Sequence, residues 1–182
     1  MSKIIFISGP CGCGKSTFSK LYSEHMAQLE KKPLYIIHGD DFQNGFIEPK
    51  LDDSDPEYLI NSIHWADILS FNWDCILATA KRALDRGLDV IIDYIIEDEL
   101  PRVKELARAT DSELYYIVVT TEKETIEKRL IKRGDTGLID RAFFLKDELD
   151  AMPENDGHFI DNTAISPEDM VKSVILEKYR VI

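Results

Sequence analysis

Residues 9–17 read Gly9-Pro10-Cys11-Gly12-Cys13-Gly14-Lys15-Ser16-Thr17, and no other run constrains this chain as much. The run fits G-x-x-x-x-G-K-[ST]. Before it comes Lys3-Ile4-Ile5-Phe6-Ile7-Ser8, apolar and β-branched, which reads as a buried strand. After it, Phe18, Leu21, Tyr22, Met26 and Leu29 recur at the spacing of one helical face. Strand, glycine loop and helix together form a phosphate cradle: the glycines let the backbone turn its N–H groups onto an anion, and the helix N-terminus adds partial positive charge. Gly9, Cys11, Gly12, Cys13, Gly14, Lys15, Ser16 and Thr17 are therefore candidate ATP-binding residues. Lys15 is expected to reach the β- and γ-phosphates from a solvent-facing loop without packing on the core, and the Ser16 hydroxyl is expected to ligate Mg²⁺.

A chain of 182 residues with 44% hydrophobic content is long enough for one domain with a full-sized core, here taken as residues 1–182. Its net charge of −12 repels phosphodiester backbones, so no nucleic-acid partner is expected. Three cysteines, two of them inside the loop, suit neither a disulfide framework nor a zinc site and point to a reducing cytoplasm. A thiol beside a helix N-terminus can have a lowered pKa, so Cys11 and Cys13 are also candidates for redox regulation. The apolar stretch at the N-terminus is too short for a signal peptide, and no run reaches membrane-spanning length, so no membrane partner is expected. The oligomeric state stays open.

Strand-like and helix-like segments alternate along the chain. Leu34-Tyr35-Ile36-Ile37, Val90-Ile91-Ile92-Asp93-Tyr94, Leu114–Val119 and His158-Phe159-Ile160-Asp161 read as further strands. Helices are expected from about 56 to 86, 98 to 109, 122 to 133 and 138 to 151, with a last one beginning near Pro167. Such alternation specifies an α/β fold, a parallel sheet covered by helices on both faces. Ligands of these sheets collect at the carboxyl ends of the strands, so the chemistry is expected just after Ile7, Ile37, Ile92, Val119 and Ile160.

Asp40 and Asp41 follow the second strand, where a kinase needs a carboxylate to orient or deprotonate its acceptor hydroxyl. Asp40 is the candidate base and Asp41 a candidate metal ligand through water, although Gly39-Asp40-Asp41 also suits a surface turn. Asp93 ends an apolar strand and is a candidate for the Mg²⁺ shell, or else a cap for the next turn. Tyr94 and Glu97 are weaker candidates for lining an acceptor site. Arg129, Lys132 and Arg133 share a helical face ahead of the hinge-like Gly134-Asp135-Thr136-Gly137, with Arg141 beyond it. A closing lid could deliver Arg129 and Arg133 to a transferring phosphoryl group, though a solvated face paired with glutamates has the same pattern. Trp65 and Trp73 read first as core or interface residues, and His38 and His64 as lone histidines.

On these residues the chain resembles the small-molecule P-loop kinases of the gluconate-kinase, shikimate-kinase and chloramphenicol-phosphotransferase type. SGPCGCGKST is similar to their phosphate loop, YIIHGDDF to their second-strand motif, EKRLIKRGDTG to the approach to their lid, and FIDNTAISPEDMV to their last strand and adenine-packing loop. The resemblance implies a three-layer α/β/α P-loop NTPase fold with a five-stranded parallel sheet of order 2-3-1-4-5 and a helical lid near residues 129–145. It implicates Asn162 and Thr163 beside adenine. It also implies an ATP- and Mg²⁺-dependent transfer to a hydroxyl of a small molecule such as a sugar acid or antibiotic. A nucleoside or nucleotide kinase and an ATP-binding protein without phosphotransfer remain alternatives. The guanine-reading N-K-x-D is absent, and the acidic balance disfavours a polynucleotide kinase.

Overall fold

The computed structural model describes residues 1–47, 63–95 and 99–182. Strands β1 (Lys3–Ser8), β2 (Leu34–His38), β3 (Asp89–Asp93), β4 (Glu113–Thr120) and β5 (Phe159–Asp161) form one parallel sheet of order β2-β3-β1-β4-β5. Between them run helices α1 (Lys15–Glu30), α2 (Asp40–Gln43), α3 (Trp65–Leu84), α4 (Leu100–Ala109), α5 (Lys123–Arg133) and α6 (Ile139–Ala151). The last helix, α7 (Pro167–Ser173), follows β5. The α/β class, the sheet order and the helical layers are those expected. The early part of the long helix expected from 56, and the positions Glu97 and Asp98, lie outside the described residues.

Side chains of a strand alternate between its faces, and here each face finds its own core. Ile4, Phe6, Val90, Ile92, Leu114, Tyr116 and Val118 pack with Trp73, Ile76 and Ala80 of α3 and Val103 of α4. Ile5, Ile7, Ile91, Tyr115, Ile117 and Val119 pack with Phe18, Tyr22 and Met26 of α1 and Met170 and Val171 of α7. Strands covered on both sides read as continuous apolar runs, which is why β1, β3 and β4 are so legible. A third, smaller cluster joins Ile126 and Leu130 of α5 to Ala142 of α6, with Cys11, Ile139 and Phe143 packed against it. It seats residues 129–145 on the phosphate loop, apart from the two main cores.

The short helical turns do not follow from the periodicity, α2 among them. Asp40 and Asp41 open the one-turn helix α2 instead of a surface turn. Of the tryptophans, Trp73 is buried and stacked on Phe6, while Trp65 is exposed. Among the described residues no helix is long and apolar enough to cross a membrane.

Candidate active site

The loop after β1 is shaped by close approach. A Cβ at Gly9 would stand 2.4 Å from the Val119 carbonyl oxygen, and Gly9 takes a φ of +148° that side chains disfavour. The Cys13 N–H donates to the Pro10 carbonyl at 3.3 Å, and the Phe18 N–H to the Gly14 carbonyl at 3.0 Å, so the loop runs straight into α1. The Cys13 carbonyl is turned outward by two donors, Asn162 Nδ2 at 2.7 Å and Arg129 Nη1 at 2.8 Å. In a planar trans peptide the C=O and the following N–H point opposite ways, so holding this carbonyl outward aims the Gly14 N–H inward. Arg129 also donates to Asn162 Oδ1 at 3.1 Å, which closes a triangle between the loop, α5 and the residue after β5.

The loop cysteines do not fit the redox expectation. Burial pushes the Cys13 thiol up to about 11, and burial also raises Cys11, against the opposing Lys15 charge. Both are held as neutral thiols, which are poor nucleophiles. Alkylation of Cys11 by iodoacetamide at neutral pH, followed by mass spectrometry of its peptide, should run slower than for free cysteine. Rapid stoichiometric labelling there would contradict this.

Lys15 departs from expectation as well. Its side chain is only 12% exposed, and its Nζ lies 3.0 Å from Oδ1 of Asp93, itself 2% exposed. Burial is the largest single influence and works against the ammonium, but the charge and hydrogen bond of Asp93, with smaller contributions from Cys13 and Asp40, together hold the Lys15 pKa above the ordinary value. The other oxygen of Asp93 lies 2.9 Å from His38 Nδ1. In the sequence His38 reads as a lone histidine. Its signal was positional: β2 and β3 are parallel, five residues long and in register, so their last residues, His38 and Asp93, sit side by side.

Asp40 reaches the loop from β2. Gly39 donates its N–H to the Asp93 carbonyl at 2.9 Å, and a Cβ there would strike the Tyr94 ring at 2.3 Å. Only glycine lets the chain pass over Tyr94 and turn into α2. Asp40 then lines a cavity of about 180 Å³ together with Pro10, Cys11, Gly12, Gly14, Lys15, Ser16, Thr17, Arg133 and Leu138. Asp41, its neighbour, is exposed and does not line that cavity. Arg133 is paired with Asp135 at 2.6 Å. Arg141 stands over the exposed Phe144 ring, 5.4 Å from its centroid.

Beside this cradle, on the β5 side, lies a second cleft of about 450 Å³. Gly12, Gly14, Thr17 and Phe18 form its floor, Arg129, Lys132 and Arg133 one wall, and Asn162, Ile165, Pro167 and Met170 the other. Asn162 is buried at its edge, and Thr163 ties the β5 loop to the end of β4, accepting from the Glu122 N–H at 3.0 Å. The structure thus gathers the expected residues into two adjoining groups. Lys15, Ser16, Asp40 and Arg133 surround the cradle. Arg129, Arg133 and Asn162 line the cleft.

The model of the AAA domain family matches residues 5–151, most of the chain, and the chain belongs to that family. It is similar to a guanylate kinase of Campylobacter jejuni, with 28% identity over 168 residues, 83% of this chain and 75% of the relative. Two solved structures share the fold. An APS kinase from Mycobacterium tuberculosis, in complex with AMPPNP and APS, superposes with a TM-score of 0.66 at 18% identity, over 96% of this chain and 95% of its own. A gluconokinase from Sinorhizobium meliloti gives 0.57 at 14% identity, over 98% and 91%. The fold is that of the P-loop kinases.

Proposed function

We propose that this member of the AAA domain family is a kinase that transfers the γ-phosphate of ATP to a hydroxyl of a small molecule. One observation carries the proposal: a single cavity brings a carboxylate, Asp40, opposite the loop amides, the Lys15 ammonium, the Ser16 hydroxyl and the Arg133 guanidinium. A nucleotide-binding protein without phosphotransfer has no need of a carboxylate across the phosphate cradle.

The residues fit ATP and Mg²⁺. The glycine loop borders an open cavity of about 180 Å³ with Lys15 and Ser16, and the cleft beside it, walled by Ile165, Pro167 and Met170, suits a flat base. Among the described residues no three His, Cys, Asp or Glu side chains converge as a protein-only metal cage. That suits Mg²⁺, which keeps waters and takes phosphate oxygens plus one or two protein ligands, here Ser16; the Asp93 oxygens are engaged by Lys15 and His38 and would join the shell once Lys15 moves to the phosphates. When bound, Mg²⁺ would neutralise charge on the β- and γ-phosphates. Asp40 orients the acceptor hydroxyl and takes its proton. Lys15 leaves Asp93 for the phosphates, and Arg133 exchanges Asp135 for the equatorial oxygens of the transferring group. Arg129 and Asn162 hold the loop amides in place and wall the base cleft. Asp41 plays at most a supporting part.

A second reading is a nucleotide kinase, favoured by the similarity to guanylate kinase. The test is ADP release with MgATP and a panel of sugars, sugar acids, aminoglycosides, amphenicols, nucleosides and nucleoside monophosphates. Turnover with a non-phosphorylated alcohol is the expected result. Turnover confined to nucleoside monophosphates would establish the second reading, and none with any acceptor would favour ATP binding alone.

Residues 129–145 are proposed as the lid. They rest on the loop through the small third cluster, and segments with few buried apolar contacts open most readily. A non-hydrolysable ATP analogue should therefore protect the stretch between Arg133 and Arg141 from limited proteolysis in the wild type, with little gain in Arg133→Ala. Without such protection in the wild type, the basic cluster is a solvated helix face.

A further inference from the structure

We propose that Asn72 is a positioning residue that, through Gln43 and Tyr94, sets the placement of α2 and with it the Asp40 carboxylate. The inference rests on the role given to Asp40 above. Asn72 is fully buried on α3, on a face that otherwise buries Trp73, Ile76, Ala80, Ala83 and Leu84. Its Nδ2 donates to the Tyr94 hydroxyl at 2.9 Å and to Gln43 Oε1 at 3.4 Å. Among the described residues its Oδ1 has no hydrogen-bond partner. A buried acceptor left unsatisfied costs free energy that a leucine of similar size would not. Stability alone therefore does not account for an asparagine here.

What Asn72 touches supplies the reason. A helix of four residues has too few internal hydrogen bonds to hold its own place, so its position is set by its contacts. At the start of α2, Gly39 lies on the Tyr94 ring and donates to the Asp93 carbonyl. At its end, Gln43 accepts from Asn72. Among the described residues Asn72 bonds both supports, the hydroxyl of the Tyr94 side chain that Gly39 lies against and the Gln43 side chain three residues beyond Asp40. Buried polar groups that specify one arrangement at some cost in stability are a known use of such residues. A proton-accepting carboxylate needs that accuracy, because displacements near 1 Å slow a reaction by about 10²-fold.

Asn72→Leu tests this. Its melting temperature is expected to stay within a few degrees of the wild type, since relief of the unpaired Oδ1 offsets the loss of a partner at the Tyr94 hydroxyl, while hydrogen–deuterium exchange over residues 39–46 becomes at least several-fold faster and exchange in the rest of α3 stays as it was. With MgATP and the best acceptor of the panel, kcat should fall about 10-fold or more, by the same positional argument, with KM for ATP within about twofold. Combined with Asp40→Asn, it should add no further loss, since it acts through that carboxylate. Gln43→Leu, half-buried on the short helix, should show the same exchange and the same non-additivity should Asn72→Leu not fold. Unchanged exchange over 39–46, or losses that multiply with Asp40→Asn, would overturn the positioning role. Wild-type kcat in Asp40→Asn itself would overturn the role of Asp40 instead.

Discussion

Lys15→Ala is expected to abolish phosphotransfer and also to weaken the fold. The catalytic loss follows from removing the one cation that the loop aims at the phosphates. The structural loss follows from its partner. Without the ammonium, the Asp93 carboxylate stays buried, with His38 as its remaining side-chain partner among the described residues. Breaking a buried pair from one side typically costs about 3–5 kcal/mol, and the His38 contact places this case near the lower end. For a chain of this size about 3 kcal/mol lowers the melting temperature by roughly 6–12 °C. Asp93→Asn alone should be destabilising for the mirror reason, since Lys15 then keeps its buried charge without a counter-ion. The double variant Lys15→Ala/Asp93→Asn removes both charges and should melt above Lys15→Ala, while remaining inactive. Calorimetric melting of the four proteins decides it: strict additivity would mean that the two side chains do not depend on each other.

Asp40→Asn should lower kcat by ~10²–10⁴-fold, the range of a positioned acid–base group, while ATP affinity by calorimetry stays within a few-fold of wild type. The amide keeps the size and the hydrogen-bonding oxygen but cannot accept the hydroxyl proton. Asp41→Asn should have little effect, because Asp41, exposed like its neighbour, does not line the cavity that Asp40 lines. A large loss at Asp41→Asn with none at Asp40→Asn would transfer the role to the second aspartate.

The elements of this protein were legible because each is written in a local pattern. The apolar runs of β1, β3 and β4 mark strands covered on both faces, and Gly87 and Gly134 stand where α3 and α5 end. The glycine loop between strand and helix marks the phosphate site without reference to any distant residue. Strand order is different in kind. It came from resemblance, because alternation of strands and helices specifies a parallel sheet and not which strand lies beside which.

The parts of the site that escaped notice depend on pairings between distant segments. Lys15 meets Asp93 across 78 positions, His38 meets Asp93 across 55, and Asn162 meets the Cys13 carbonyl across 149. None of these separations has a periodicity to betray it. His38 became a partner of Asp93 only once β2 lay parallel to β3 with their ends aligned. Lys15, on what reads as an open loop, turned out mostly buried because that same alignment sets a carboxylate beneath it. The local sequence carries the residue types and the turns that the chemistry requires. The register of parallel strands and the packing of α3 and α5 against their ends set which of those residues share a cavity, since those distances follow from burying two apolar faces at once.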